Sequence, residues 1–101
     1  MKRVIVQYKL KEDRIQQNMR FIKDVFLALN KSKPEGLRYA TFQLEDGVSF
    51  IHMVSIETED DSNPLASLKE FKAFTEDIAS RCEEPPVASA VETIGNYRLI
   101  E

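Results

Sequence analysis

The chain has 101 residues and a mass of 11.6 kDa, with 43% hydrophobic and 31% charged residues. That length supports one hydrophobic core, so residues 1–101 are read as one domain, and the composition excludes a disordered or collagen-like chain. Net charge is −3, with 14 basic residues interleaved among 17 acidic ones, so no nucleic-acid partner is expected.

In chain order, residues 3–10 are rich in β-formers and place Val4, Val6, Tyr8 and Leu10 on one face. Ile15, Met19, Ile22, Val25, Phe26 and Leu29 then recur at steps of three and four, which predicts an amphipathic helix over residues 13–31. Lys31, Lys33 and Pro34 end it, because positive charge suits the C-terminal dipole and proline cannot continue a helix. Gly36 opens a strand over residues 37–44, and Val48 to Glu57 is the next. Asp46-Gly47 between them is a strong hairpin signal.

Two registers compete for this hairpin. A two-residue loop sets His52 opposite Thr41 and Phe50 opposite Gln43. A three-residue loop with Gly47 left-handed sets His52 opposite Ala40 and Phe50 opposite Phe42. Apolar continuity of the buried face favours the second. It leaves Leu37, Tyr39, Ile51 and Met53 on the other face.

Residues 58–63 form an acidic loop. Asn63 fits a helix N-cap and Pro64 the first helical position. Leu65, Leu68, Phe71, Phe74, Ile78 and Cys82 predict one amphipathic helix to about residue 82. Glu84-Pro85-Pro86 predicts an extended connection, and Ala88 to Thr93 a last strand. The order β-α-β-β-α-β predicts an α+β, ferredoxin-like fold, one antiparallel sheet with both helices on one face. The bare face, carrying Leu37, Tyr39, Ile51 and Met53, predicts a homodimer interface.

This order, and the Leu37–Glu57 hairpin with Gly36-Leu37-Arg38-Tyr39-Ala40-Thr41-Phe42 and Val48-Ser49-Phe50-Ile51-His52-Met53-Val54, resembles the dimeric α+β barrel superfamily. Within it, the chain is most similar to small proteins related to antibiotic-biosynthesis monooxygenases. The resemblance implies two sheets joined in a barrel and a small-molecule cleft between sheet and helices. It also implies cofactor-free oxygenation, haem degradation, or isomerase and decarboxylase chemistry in the active members. The oxygenase and haem-degrading branches use a Trp and an Asn around the pocket, and the haem branch a helix-borne His. This chain has no Trp and its one His lies on a strand, which argues against haem degradation.

His52 is the candidate catalytic residue, because its ordinary pKa lies near neutrality. The plainer reading is a histidine kept for packing under a helix. Arg38 is a candidate carboxylate or phenolate holder, or else a surface arginine paired with an acid such as Glu57. Tyr8, Asn18 and Phe50 complete the candidate ligand-binding set; Asn18 borders the apolar stripe of the first helix and also reads as a solvated edge residue. Cys82 reads as a small buried hydrophobe. The chain's one cysteine excludes an intrachain disulfide or a multi-cysteine zinc site, and no metal or cofactor motif occurs. No apolar run approaches the roughly 20 residues of a membrane span, so a cytoplasmic protein with no membrane partner is expected. The expected function is binding of a small apolar or aromatic molecule, with monooxygenase-like or proton-transfer chemistry. The alternative is a non-catalytic dimeric module with a closed core.

Overall fold

A computed structural model describes residues 1–100. Strand β1 (Lys2–Leu10) leads through a short 3-10 turn into helix α1 (Ile15–Ser32). The hairpin β2 (Leu37–Gln43) and β3 (Ser49–Ile56) follows. A 3-10 turn (Pro64–Ser67), helix α2 (Lys69–Thr75) and the single turn α3 (Ile78–Arg81) then lead into β4 (Cys82–Val91). The four strands form one antiparallel sheet in the order β2-β3-β1-β4. This is the α+β ferredoxin-like architecture expected from the element order.

Helix α1 ends as its sequence requires. Lys33 adopts a left-handed conformation (φ 47°) and its N–H returns to the Leu29 carbonyl, with Pro34 next. The buried line along the helix runs through Ile15, Asn18, Ile22, Val25 and Leu29, at alternating steps of three and four. Asn18 and Val25 are fully buried on it, whereas Met19 sits at the rim, 40% exposed. The reading of Asn18 as a solvated edge is therefore corrected. Its spacing from Ile15 and Ile22 places it on the axis of the stripe.

The preferred hairpin register is also corrected. Thr41 pairs with His52 and Gln43 with Phe50. The turn is wider than two residues: Gly47 N–H bonds to Leu44 O and Leu44 N–H to Ser49 O. The Asp46 carboxylate accepts from the N–H groups of Val48 and Ser49 at 3.0 and 2.8 Å, holding this even-numbered loop in place. Directly paired residues share a face. Leu37, Tyr39, Thr41 and Gln43 therefore lie with Phe50, His52, Val54 and Ile56 on the helix side. Arg38, Ala40 and Phe42 lie with Ile51, Met53 and Ser55 on the open side.

Leu37 and Tyr39 are thus removed from the open face and packed against the core. Ile51 and Met53 keep their expected places, joined by Ala40 and Phe42. Apolar continuity misled because the buried face is not uniformly apolar. A buried histidine needs polar neighbours, and the adjacent strand supplies Tyr39 and Thr41.

The predicted second helix is broken. Asn63 does cap, its side chain accepting from Leu65 N–H with Pro64 following. The helical run is interrupted at Leu68, in extended conformation, and again at Glu76 and left-handed Asp77 (φ 58°). Cys82 starts β4 instead of ending a helix, and Pro85 and Pro86 lie within that strand. Proline is tolerated there because β4 is an edge strand, with its pairing to β1 shifted beyond Gln7. The core comprises Tyr8, Leu10, Val25, Phe50, Leu65, Phe74 and Cys82.

Two glycines occupy left-handed positions in different surroundings. At Gly36 (φ 76°) an added Cβ would meet Thr58 Cγ2 at 2.7 Å and the Thr58 backbone N at 3.0 Å, whereas at Gly47 (φ 77°) it would meet nothing. Gly36→Ala is expected to cost about 2–3 kcal/mol, and Gly47→Ala only about 1 kcal/mol. Urea denaturation of the two variants checks the difference; equal losses would mean that the Thr58 contact yields freely.

Candidate active site

Between the sheet and the α2–α3 segment lies a cavity of about 290 Å³. Its walls are mainly apolar, built from Val4, Val6, Val54, Ile56, Leu65, Phe71, Phe74 and Ile78, with Lys2, Asn63, Thr75 and Pro86 also in the lining. Three polar rings are set into these walls: Tyr8, Tyr39 and His52. Alternation along β1, β2 and β3 points all three toward the helices, and strand pairing sets Tyr8 and Tyr39 as diagonal neighbours of His52 on either side.

His52 is 4% exposed and both its ring nitrogens are engaged. The Tyr8 hydroxyl lies 2.7 Å from Nε2. On the other side, the Tyr39 hydroxyl lies 2.6 Å and Thr41 Oγ1 3.1 Å from Nδ1. Phe74 stacks on the ring, with centroids 5.2 Å apart. Behind Tyr8, Asn18 Nδ2 donates to the Tyr8 hydroxyl at 2.9 Å. Arg81 Nε donates in turn to Asn18 Oδ1 at 3.4 Å, a long contact strengthened by charge.

Arg81 is itself 4% exposed, and no carboxylate lies within ion-pair distance of it among the described residues. Its guanidinium donates to the carbonyls of Phe74 and Glu76 at the end of α2 and lies 4.6 Å over the Phe21 ring. Helix-end carbonyls and an aromatic face take the place of a counter-ion. The break at Asp77 makes this possible, since it turns α3 back so that Arg81 reaches the exposed carbonyls of α2.

Burial sets the protonation states. It pushes the His52 pKa down from 6.5 to about 4, so the imidazole is neutral at pH 7. It pushes Tyr39 up to about 12, and it raises Tyr8 further, against the opposing hydrogen bond from Asn18. All three rings are therefore uncharged near neutrality, and the one side chain of a charged type in the cavity lining is Lys2. Cys82 is buried, its thiol pKa raised by desolvation, and it does not line the cavity.

Of the residues expected from the sequence, His52 and Tyr8 line the cavity. Asn18 stands one hydrogen bond behind it. Phe50 is buried and stacks on Tyr8 at 5.7 Å without reaching the cavity wall. Arg38 is on the open face, because the register differs by one residue from the expected one. There its Nε donates to Glu57 Oε1 at 3.1 Å, the ion pair weighed as its plainer reading. Tyr39, Thr41 and Arg81 were not anticipated. Tyr39 and Thr41 follow once the register is known. Arg81 is not detectable without the helix break. Among the described residues no group of three or more His, Cys, Asp or Glu side chains is placed to hold a metal ion. No helix is long and apolar enough to cross a membrane.

No protein-family model matches the sequence, and no curated protein matches it. Solved structures do match. An antibiotic biosynthesis monooxygenase superposes with TM-score 0.72 at 14% identity, over 94% of this chain and 100% of the other. Rv0793 from Mycobacterium tuberculosis gives 0.75 at 9% identity, over 94% and 96%. A conserved protein from Methanosarcina mazei gives 0.71 at 15% identity, over 89% of each chain. The resemblance drawn from element order therefore holds at the level of the fold.

The buried imidazole makes stability depend on pH. Folded His52 resists a proton that the unfolded chain accepts at about 6.5. Its contribution is complete above that pH and is lost as pH falls toward about 4. The loss is roughly 3 kcal/mol, at about 1.4 kcal/mol per pKa unit. Urea midpoints between pH 7 and pH 4.5 should fall steeply for the wild type and much less for His52→Gln. Parallel curves would place the acid sensitivity elsewhere.

Proposed function

We propose that the protein binds a small apolar or aromatic molecule carrying one neutral hydroxyl or carbonyl group, and that it acts on it with monooxygenase-like chemistry. One observation carries this reading: the apolar cavity, with an unprotonated imidazole and two phenols set in its wall. Its volume, about 290 Å³, is near the lower end for small-molecule pockets, roughly 300 Å³. It suits a one- or two-ring molecule. The surroundings that keep His52 neutral and the tyrosines protonated also disfavour an anionic group at the same place.

Neutral His52 is available to take a proton but is a weak base. Proton transfer is then favourable only if the resulting ligand anion stays beside the imidazolium. For a phenol, the hydroxyl proton would move to the Tyr8 oxygen while the Tyr8 proton moves to His52. The phenolate is electron-rich enough to react with dioxygen. One oxygen atom ends in a new carbonyl and the other leaves as water, with all four electrons drawn from the substrate as it becomes a quinone. No added cofactor is required by that balance.

The functional unit in this reading is a homodimer joined through the open sheet face. Phe42 is 47% exposed there, with Ala40, Ile51 and Met53 beside it. A second reading, a non-catalytic dimeric module, is favoured by the full engagement of both His52 nitrogens with protein hydroxyls.

Calorimetry with 1-naphthol and an oxygen electrode with dihydroxynaphthalenes separate the two. Naphthol should bind the wild type, and Val54→Trp, which fills the cavity, should weaken binding by at least about 10-fold without loss of fold. His52→Ala should lower oxygen uptake by about 100-fold. Unchanged binding in Val54→Trp would remove the cavity from the proposal; binding without any oxygen uptake would favour the non-catalytic module. Met53→Lys should yield monomer by sedimentation equilibrium, and an unaltered dimer would refute the sheet-to-sheet interface.

A further inference from the structure

We propose that Arg81 and Asn18, neither of which lines the cavity, fix His52 as its Nδ1–H tautomer and make Nε2 the ring position that accepts a proton. The functional weight of this assignment rests on the reading of the cavity given above. The assignment itself rests on hydrogen-bond direction.

The chain Arg81–Asn18–Tyr8–His52 ends on a guanidinium. A guanidinium has five N–H donors and no acceptor, and it keeps its proton in proteins. The Asn18 group that faces Arg81 Nε must therefore be the carbonyl oxygen. The opposite amide orientation would set an NH₂ against a cationic N–H. With Oδ1 committed, Nδ2 faces the Tyr8 hydroxyl and donates to it. Tyr8 accepts there, and its own hydrogen has His52 Nε2, at 2.7 Å, as its one side-chain acceptor among the described residues. Nε2 accepts, so a neutral ring carries its proton on Nδ1.

The Nδ1 side does not contradict this. Both partners there, Tyr39 and Thr41, are hydroxyls that accept as readily as they donate. Only the arginine end of the network has a fixed direction, and that direction propagates across three elements to a ring it does not touch. An imidazole in water prefers the opposite tautomer. The consequence for the cavity is that a proton reaches Nε2 through the Tyr8 oxygen. Arg81 and Asn18 are positioning residues for that path.

Long-range ¹H–¹⁵N correlation spectra of the ¹⁵N-labelled full chain at pH 7 test this. The wild type should show a protonated Nδ1 and a bare Nε2; a protonated Nε2 overturns the proposal outright. Asn18→Asp keeps the shape but gives Tyr8 an acceptor in place of a donor, so the chain reverses and the proton should move to Nε2. Arg81→Met removes the directing cation and should give a mixture of tautomers. Either variant, folded and still holding its proton only on Nδ1, overturns the proposal, so failure of one to fold leaves the other decisive. Naphthol calorimetry on the wild type is independent of these spectra. Absent binding with an Nδ1–H ring would defeat the functional reading and leave the tautomer standing.

Discussion

A buried guanidinium without a carboxylate must find oxygen atoms elsewhere, and much of this interior is arranged around that requirement. Arg81 takes the terminal carbonyls of α2, the face of Phe21 and the amide oxygen of Asn18. These partners come from two helices. Through Asn18 and Tyr8 the same network reaches His52 on β3. Helix layer and sheet are joined by a directed chain of polar contacts inside an otherwise apolar core. A network of this kind stabilises only when every member is satisfied, because a buried donor or acceptor left alone costs about 1–3 kcal/mol. Here no buried side-chain nitrogen or oxygen lacks a partner among the described residues.

Satisfaction and openness coexist at this site. Tyr8 and Tyr39 bond to His52 along the sheet, and all three rings line the space beneath α2 and α3. The segment opposite contributes Leu65, Phe71, Phe74 and Ile78, whose side chains have no polar atom, together with Asn63 and Thr75. The space is a partly open cleft, and the side chains lining it forgo packing contacts there. The polar rings are held in the sheet beside Val4, Val6, Val54 and Ile56, and the rest of the apolar lining comes from a segment made of short, interrupted helical turns. That division is suited to a rigid polar wall beneath a cover of less regular structure.

The hairpin turn decides which side chains belong to this wall. Asp46 binds two backbone N–H groups and a serine hydroxyl, and so holds a four-residue loop. A shift of one residue would turn Tyr39 and Thr41 outward and bring Arg38 inward. The His52 ring would then lose its Nδ1 partners and gain a cation. The same turn leaves Ala40, Phe42, Ile51 and Met53 together on the outer face, so one local feature sets the composition of both surfaces of the sheet.

Period and punctuation carried the architecture. Alternation in β1, the three-and-four stripe of α1, Gly36, Asp46-Gly47, and the Asn63-Pro64 cap are local signals whose physics lies within a few residues. They suffice for element order, and element order suffices for the ferredoxin-like sheet. The candidate histidine was equally legible, because it is the only imidazole in the chain. Its partners were not. Tyr39 and Thr41 depend on a register that two loop geometries could satisfy, and a rule that maximises apolar area counts against a buried polar cluster. Asn18 carried a usable signal, a polar residue on the axis of an apolar stripe. Arg81 carried none, because its place depends on a helix ending at Glu76 and on carbonyls that only the folded backbone leaves free. Sequence alone determined the element order and the one imidazole in the chain. The tertiary structure decided which face that group shares with which hydroxyls, and how deeply it is buried, because register, burial and hydrogen-bond direction are properties of segments brought together from distant parts of the chain.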